Sequence, residues 1–275
     1  MPEAPELQVV KEVLQRHLPG QEVLEARVRK PTVLRSLVEE EFTRDIAGRR
    51  FEGVRRRGKS LTLDLSGDRL LTIFPMLTGT LQQCAPRERV SKTTCFVLSL
   101  SSGMELRYLD DRQMGMVYYL SLAQASEVRR MEEGGPDVLD EYPGYERFLA
   151  GLKKHRGEVK GVLTRGRLVA GIGNAYADEV LFQSQIFPFR KVRTLSEDEL
   201  GRLYEALRTV PGRAVEILRQ QMGEQIHLKV RDFMQVHGKG GQPCPRCGGR
   251  ITSITANQRM TNYCRRCQPG MLVRN

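Results

Sequence analysis

The sequence predicts an α+β chain: one N-terminal helix, an all-β domain of sandwich or barrel type, a helical domain and a small cysteine-rich unit. Three observations carry this. Apolar residues alternate with period two between about residues 21 and 120. Beyond residue 145 the apolar spacing changes to three and four. Four of the six cysteines fall in two CxxC pairs near the C-terminus.

Residues 4–17 read as a helix, because Leu7, Val10, Val13 and Leu14 form one stripe. The clearest strand is SLTLDLS, with Leu61, Leu63 and Leu65 on one face. LLTIFP (70–75), TTCFVLSLS (93–101) and MELRYL (104–109) continue the alternation, and Gly67-Asp68 and Ser102-Gly103 mark turns between strands. Residues 121–145 form a mixed connector in which Gly134, Gly135 and Pro136 break any helix. Helices follow at 145–154, at Asn174 to Gln183 behind Gly171-Ile172-Gly173, and at 195–210, where Ser196 and Glu199 make a capping box. Pro211 is expected to open a fourth helix running to about Met222.

With 40% hydrophobic residues in 275, the chain fills real cores and is not a disordered protein. No apolar run reaches membrane-spanning length, and the first residues carry neither the basic nor the apolar region of a secretory signal, so a cytosolic location is expected. The net charge of +11 points to a polyanionic partner. Its basic clusters are dispersed: Arg55, Arg56, Arg57 and Lys59; Lys153, Lys154, His155 and Arg156; Lys239, Arg246 and Arg250. Dispersion favours several elements converging on one groove over a single basic arm.

Cys244-Pro-Arg-Cys247 is followed, after sixteen residues, by Cys264-Arg-Arg-Cys267. Each CxxC turns two thiolates toward one ion, and two such knuckles complete a tetrahedral four-thiolate zinc site. No βαβ pattern accompanies them, which argues against a redox pair. Four thiolates leave no open position, so the one Zn2+ expected here is structural. The intervening GGRITSITANQRMTNY alternates like a β-hairpin with its turn near Ala256–Arg259, placing Arg259 at the tip of a metal-stiffened finger.

At the other end, Pro2 follows Met1. Removal of Met1 leaves a secondary amine beside the Glu3 carboxylate. An α-amino group titrates near 8, so a useful fraction is neutral and nucleophilic at neutral pH. Such an amine can form a covalent iminium at a sugar C1′, with a neighbouring carboxylate moving protons. If Met1 is retained, the Pro2 nitrogen is an amide and cannot attack.

MPEAPEL at 1–7, RRGKSL at 56–61, VAGIGNAYADEVLF at 169–182 and the final CPRC…NQRMTNYCRRC occur in this order along essentially the whole chain. Together they resemble the formamidopyrimidine-DNA glycosylase/endonuclease VIII family. The resemblance implies an N-terminal helix on a β-sandwich, a helix–two-turn–helix domain and a C-terminal four-cysteine zinc-finger hairpin. On that pattern residues 1–120 form the catalytic domain, 121–144 a linker, 145–239 the helix–two-turn–helix domain and 240–275 the zinc finger. The implied activity is base excision repair: a glycosylase removes oxidised or ring-opened bases from double-stranded DNA, and the abasic site is cleaved by Schiff-base β,δ-elimination. The chain is expected to act as a monomer with no membrane partner.

The resemblance also implies roles. Pro2 is the Schiff-base nucleophile, Glu3 the acid/base, and Glu6 the second N-terminal carboxylate. Lys59, read as lying on a strand after the basic run, holds backbone phosphate and assists elimination. Asn174 contacts phosphate at a helix start, a natural anion site. Lys160 stands where the family often has a lysine facing the lesion. Arg259 grips the phosphates that flank the lesion.

Departures from the family pattern concern substrate. Leu77 stands at the position of a wedge methionine, and Arg112 and Met114 at those of the arginine and phenylalanine that fill the stack behind a flipped base. Gln113 takes the reading role if the register slips by one. A His-Asp-His-like segment of the purine-specific branch is replaced by Thr93-Thr94-Cys95, and Met222 to Val236 is short for a loop capping 8-oxoguanine. Weak 8-oxoguanine activity is therefore expected, with oxidised pyrimidines, ring-opened purines or abasic sites preferred. The competing readings are a catalytically silent sensor of damaged DNA with this fold and an unrelated zinc-ribbon nucleic-acid factor. The second explains the charge and the cysteines but not Pro2, Glu3 and the Gly-Ile-Gly-Asn turn.

Overall fold

The computed structural model describes residues 2–128, 134–256 and 259–270. They fall into two compact units, Met1–Glu133 with Leu218–Lys229, and Gly134–Ile217 with Val230–Asn275.

The first unit opens with α1 (Ala4–His17), whose apolar face of Leu7, Val10, Val13 and Leu14 is buried. The helix packs on β3 (Phe51–Arg57) and β4 (Ser60–Leu65). Each such side chain taken from water contributes about 2 kcal/mol. One sheet has the order β1-β7-β8-β6, formed by β1 (Val23–Val28), β7 (Thr94–Leu100), β8 (Glu105–Leu109) and β6 (Thr80–Cys84). The other has the order β2-β9-β5-β4-β3, adding β2 (Leu34–Ser36), β9 (Met116–Ser121) and β5 (Arg69–Phe74). Phe42, on the short helix α2 (Phe42–Ile46), meets Phe96 of one sheet edge-on at 6.1 Å and Tyr119 of the other at 5.1 Å, so it joins the two cores. Leu61, Leu63 and Leu65 are all buried, as the alternation requires. In the β4–β5 hairpin Leu65 pairs with Arg69, so the chain turns through Ser66, Gly67 and Asp68, the last two at positive φ (71° and 55°).

Beneath this sandwich Asp45 gathers three donors. Arg49 and Arg69 both pair with its carboxylate, and the Tyr119 hydroxyl donates to it. Burial raises the Asp45 pKa, but these bonds outweigh it and hold the carboxyl well below the usual range.

In the second unit, α3 (Tyr145–Lys153) and α4 (Val159–Thr164) lead to α5 (Asn174–Gln183), which is buried on every side from Ala175 to Phe182. The hairpin β10 (Ile251–Ala256) and β11 (Arg259–Cys264) pairs in register from Ile251↔Cys264 to Ala256↔Arg259. Phe182, Val236, Cys244, Ile251 and Cys264 form one apolar cluster tying the cysteine knuckles to the end of α5. Arg246 stacks over the Phe182 ring at 4.5 Å and donates to the Phe182 carbonyl, so this residue of the basic clusters serves packing.

Two expectations are corrected. Lys59 is not on a strand: Arg57 pairs with Ser60, and Gly58-Lys59 is the two-residue turn between β3 and β4, with Gly58 at φ 55°. Pro211 does not open a separate helix. It lies inside the single helix α6 (Glu197–Met222), which keeps the expected Ser196–Glu199 capping box at its start. The missing N–H removes one intrahelical bond, and the long flanking turns carry the helix through.

Candidate functional site

In the first unit the N-terminal residues are fixed by helix-end chemistry. Glu3 is the N-cap of α1 in an extended conformation, and Pro5 sits in the first turn, where its missing N–H costs nothing. The Glu3 side chain accepts from the Glu6 backbone, while the Glu3 amide donates to the Glu6 carboxylate at 2.9 Å. Both carboxylates are buried and sit where the helix dipole favours negative charge. Pro2, half-buried, precedes them directly. Met1 lies outside the described residues.

The turn carrying Lys59 is braced from below. Arg56 is buried; its Nε donates to Gln8 of α1 at 2.9 Å and its Nη1 to the Gly58 carbonyl at 3.2 Å. One guanidinium thus links α1 to the turn that carries Lys59. Arg55 points outward, forked onto Asp64.

Leu77 and the group Arg112, Gln113 and Met114 are brought together on two neighbouring loops. All four are exposed, Leu77 at 40% and Met114 at 46%. Fully buried Asp110 accepts from the Thr78 hydroxyl and from the Gly115 amide, and the Arg112 amide donates to Thr78 Oγ1 at 3.1 Å. Thr94 and Cys95, by contrast, are buried at the start of β7.

The second unit brings Lys160, Asn174 and Arg259 together around one strand. The Asn174 side-chain amide and the Lys160 ammonium both donate to the Met260 carbonyl, at 2.8 and 3.0 Å. Arg259 opens β11, is exposed, and donates to Thr164 Oγ1 at 3.0 Å. Residues 257 and 258 of the expected hairpin turn lie outside the described residues. Lys160 does not present an open face. It is buried, pairs with Asp178 at 2.7 Å and donates to Thr261 Oγ1 at 2.8 Å. The reason is Asp178 itself, fully buried on α5 and in need of a cation. His237 Nδ1 and the Asn262 amides complete its shell.

The four thiols at Cys244, Cys247, Cys264 and Cys267 lie within 4.8 Å of one another, with Sγ–Sγ distances of 3.8 Å (Cys244–Cys267) and 3.5 Å (Cys247–Cys264). Zinc–sulfur bonds of about 2.3 Å give a tetrahedron with edges near 3.8 Å, so the donor set fits one Zn2+. The Gly249 amide pulls the Cys247 thiol down to about 7, favouring the thiolate that a metal takes.

Sequence reading missed Thr78, Asp110, Asp178 and Glu179. Adjacent acids inside the apolar run of α5 were the available signal for the last two, since a buried acid needs a partner. Glu179 accepts from the backbone amides of Gln235, Val236 and His237 and fixes the chain entering the zinc unit.

Three family models match successive parts of the chain. Residues 1–117 match the formamidopyrimidine-DNA glycosylase N-terminal domain, 135–225 its H2TH domain, and 241–270 the zinc finger found in FPG and IleRS. The formamidopyrimidine-DNA glycosylase of Listeria monocytogenes serotype 4b is 34% identical over 273 residues, covering 98% of this chain and 100% of the relative. The chain belongs to the formamidopyrimidine-DNA glycosylase family.

The Moorella thermoacetica member is 35% identical over 261 residues, spanning 92% of this chain and 94% of its own. Among solved structures, Lactococcus lactis Fpg in complex with abasic-site DNA superposes with a TM-score of 0.88 at 25% identity, covering 98% of this chain and all of the other. The same enzyme with DNA containing an oxidised pyrimidine gives 0.88 at 26%, with the same coverage. The protein is thus a zinc-finger DNA glycosylase and abasic-site lyase of base excision repair. Among the described residues no helix is long and apolar enough to cross a membrane.

Proposed function

We propose that this enzyme excises ring-opened purines and oxidised pyrimidines, and cleaves bare abasic sites, in preference to acting on 8-oxoguanine, through a Schiff base on Pro2. The observation that carries the mechanism is the reciprocal Glu3–Glu6 cap, which holds a buried carboxylate one residue from the N-terminal proline.

With Met1 removed, the neutral Pro2 nitrogen attacks C1′ of an extruded nucleotide. The C1′–N bond breaks and the base leaves with a proton delivered through Glu3; opening of the sugar ring gives the iminium. Loss of the C2′ proton then expels the 3′-phosphate (β-elimination), and a second proton loss expels the 5′-phosphate (δ-elimination). Hydrolysis of the imine returns Pro2. Lys59 and Asn174 hold backbone phosphate, Arg259 grips the phosphates beside the lesion, and Leu77, Arg112 and Met114 fill the gap in the stack, with Gln113 beside them. Lys160 acts from beneath, holding the strand that carries Arg259. The zinc ion supplies rigidity to that finger and takes no chemical step.

The substrate preference rests on two features: Thr93-Thr94-Cys95 offers no histidine, and the stretch from Met222 to Val236 is short for a loop that caps a purine. Lactococcus lactis Fpg complexes with Fapy-dG, with an oxidised pyrimidine and with abasic-site DNA match this chain equally well in fold. We further propose a cytoplasmic monomer, divided into a catalytic domain over residues 1–120, a linker over 121–144, a helix–two-turn–helix domain over 145–239 and a zinc finger over 240–275. The test is a panel of duplexes carrying an abasic site, formamidopyrimidine, thymine glycol or 8-oxoguanine. Slowest excision is expected on 8-oxoguanine; a rate there equal to that on formamidopyrimidine contradicts the preference.

A further inference from the structure

Two exposed loops of the first unit, 75–79 and 110–115, are locked to each other by groups that do nothing for the core. Asp110 is fully buried, and its amide is bonded to the Thr93 carbonyl at 2.9 Å. One carboxylate oxygen accepts the Thr78 hydroxyl and the other the Gly115 amide at 2.6 Å. The same Thr78 hydroxyl accepts the Arg112 amide at 3.1 Å. A single hydroxyl therefore donates to the start of the second loop and accepts from its middle, while Asp110 holds its end.

The fit below is as tight. A Cβ on Gly79 would lie 2.2 Å from the Tyr108 hydroxyl, and one on Gly115 would lie 1.9 Å from it. Both loops thus close on one buried phenol with no room for a methyl. Met76 and Gln113, one in each loop, sit at φ 51°, a conformation side chains keep only where the surroundings dictate it. Burying a carboxyl group is unfavourable unless it is well bonded. Here that burial rigidifies two loops whose tips, Leu77 and Met114, face solvent.

We infer that Asp110 and Thr78 are positioning residues that set the two loops as one rigid wedge and thereby determine discrimination among bases opposite the lesion. This rests on the proposed wedge role of Leu77, Arg112 and Met114. A side chain reads a base edge only within hydrogen-bond tolerance, so a loop free to shift by an ångström loses the contact although every contacting residue remains.

The experiment uses the full chain and duplexes with an abasic site opposite each of the four bases, with borohydride trapping rates measured for parent, Thr78→Val, Thr78→Ser and Arg112→Ala. Thr78 is only half-buried, and thermal unfolding checks that each variant folds. The spread between best and worst opposite base is expected to collapse by about ten-fold in Arg112→Ala, the worth of one good base contact. A similar collapse is expected in Thr78→Val, with the spread returning in Thr78→Ser. Collapse in Arg112→Ala with a parental spread in Thr78→Val overturns the clasp alone, as does failure of Thr78→Ser to restore it. A parental spread in Arg112→Ala, or a parent indifferent to the opposite base, overturns the wedge reading and the clasp with it.

Discussion

The backbone amide of Glu3 donates to the Glu6 carboxylate at 2.9 Å, while the Glu3 carboxylate accepts from the Glu6 backbone. This reciprocal cap satisfies two helix-end amides and fixes the residue beside the proposed nucleophile. Glutamine at position 6 preserves the acceptor; alanine does not. Glu6→Ala is expected to lose about 1 kcal/mol of stability. It is also expected to slow borohydride trapping on abasic DNA, with Glu6→Gln retaining the parental melting temperature in a thermal scan.

The hairpin that presents Arg259 depends on the buried Lys160–Asp178 pair. Removing one partner of such a pair leaves an uncompensated charge, at a cost of about 3–5 kcal/mol. Lys160→Ala is therefore expected to destabilise the second unit and weaken DNA binding, whereas a solvent-facing phosphate ligand would leave stability unchanged. Thermal unfolding beside a binding titration separates the two.

Arg259 is exposed and forms few local restraints, so its own removal acts on DNA alone. Arg259→Ala is expected to weaken binding uniformly across sequences and to lower the slope of log affinity against log salt by about one. Chelating the zinc, with one equivalent of metal released on titration, is expected to reproduce that loss because the finger no longer holds the arginine.

Acid sensitivity should trace to Asp45. Its pKa is depressed in the folded protein by Arg69, Arg49 and Tyr119, against the opposing effect of burial. A depressed carboxylate contributes stability that is fully present above the unfolded value of about 3.9 and is lost as pH falls toward the folded value. Unfolding midpoints of the parent are thus expected to fall below about pH 4. Asp45→Asn, already lacking the ion pairs, is expected to be less stable at pH 7 and to show a shallower acid slope.

Much of this was legible in the sequence because each signal is local. The stripe of Leu7, Val10, Val13 and Leu14, the alternation of Leu61, Leu63 and Leu65, and the Ser196–Glu199 box are set by residues within a few positions of one another. The zinc ligands are two such local knuckles. What was not legible depends on long-range partners. Lys160 turns inward because Asp178 and the Met260 carbonyl meet it only in the folded chain. Thr78 and Asp110, 32 residues apart, have no sequence pattern that joins them. Lys59 follows a basic run and reads as a strand residue, whereas Gly58 at positive φ makes a tight turn there.

The most direct test is to trap the purified protein on abasic-site duplex with borohydride, digest it and locate the adduct by mass spectrometry. A single adduct on the nitrogen of Pro2, in protein that has lost Met1, is the expected result. An adduct on a lysine, or none at all from protein with Met1 removed, contradicts the Pro2 mechanism.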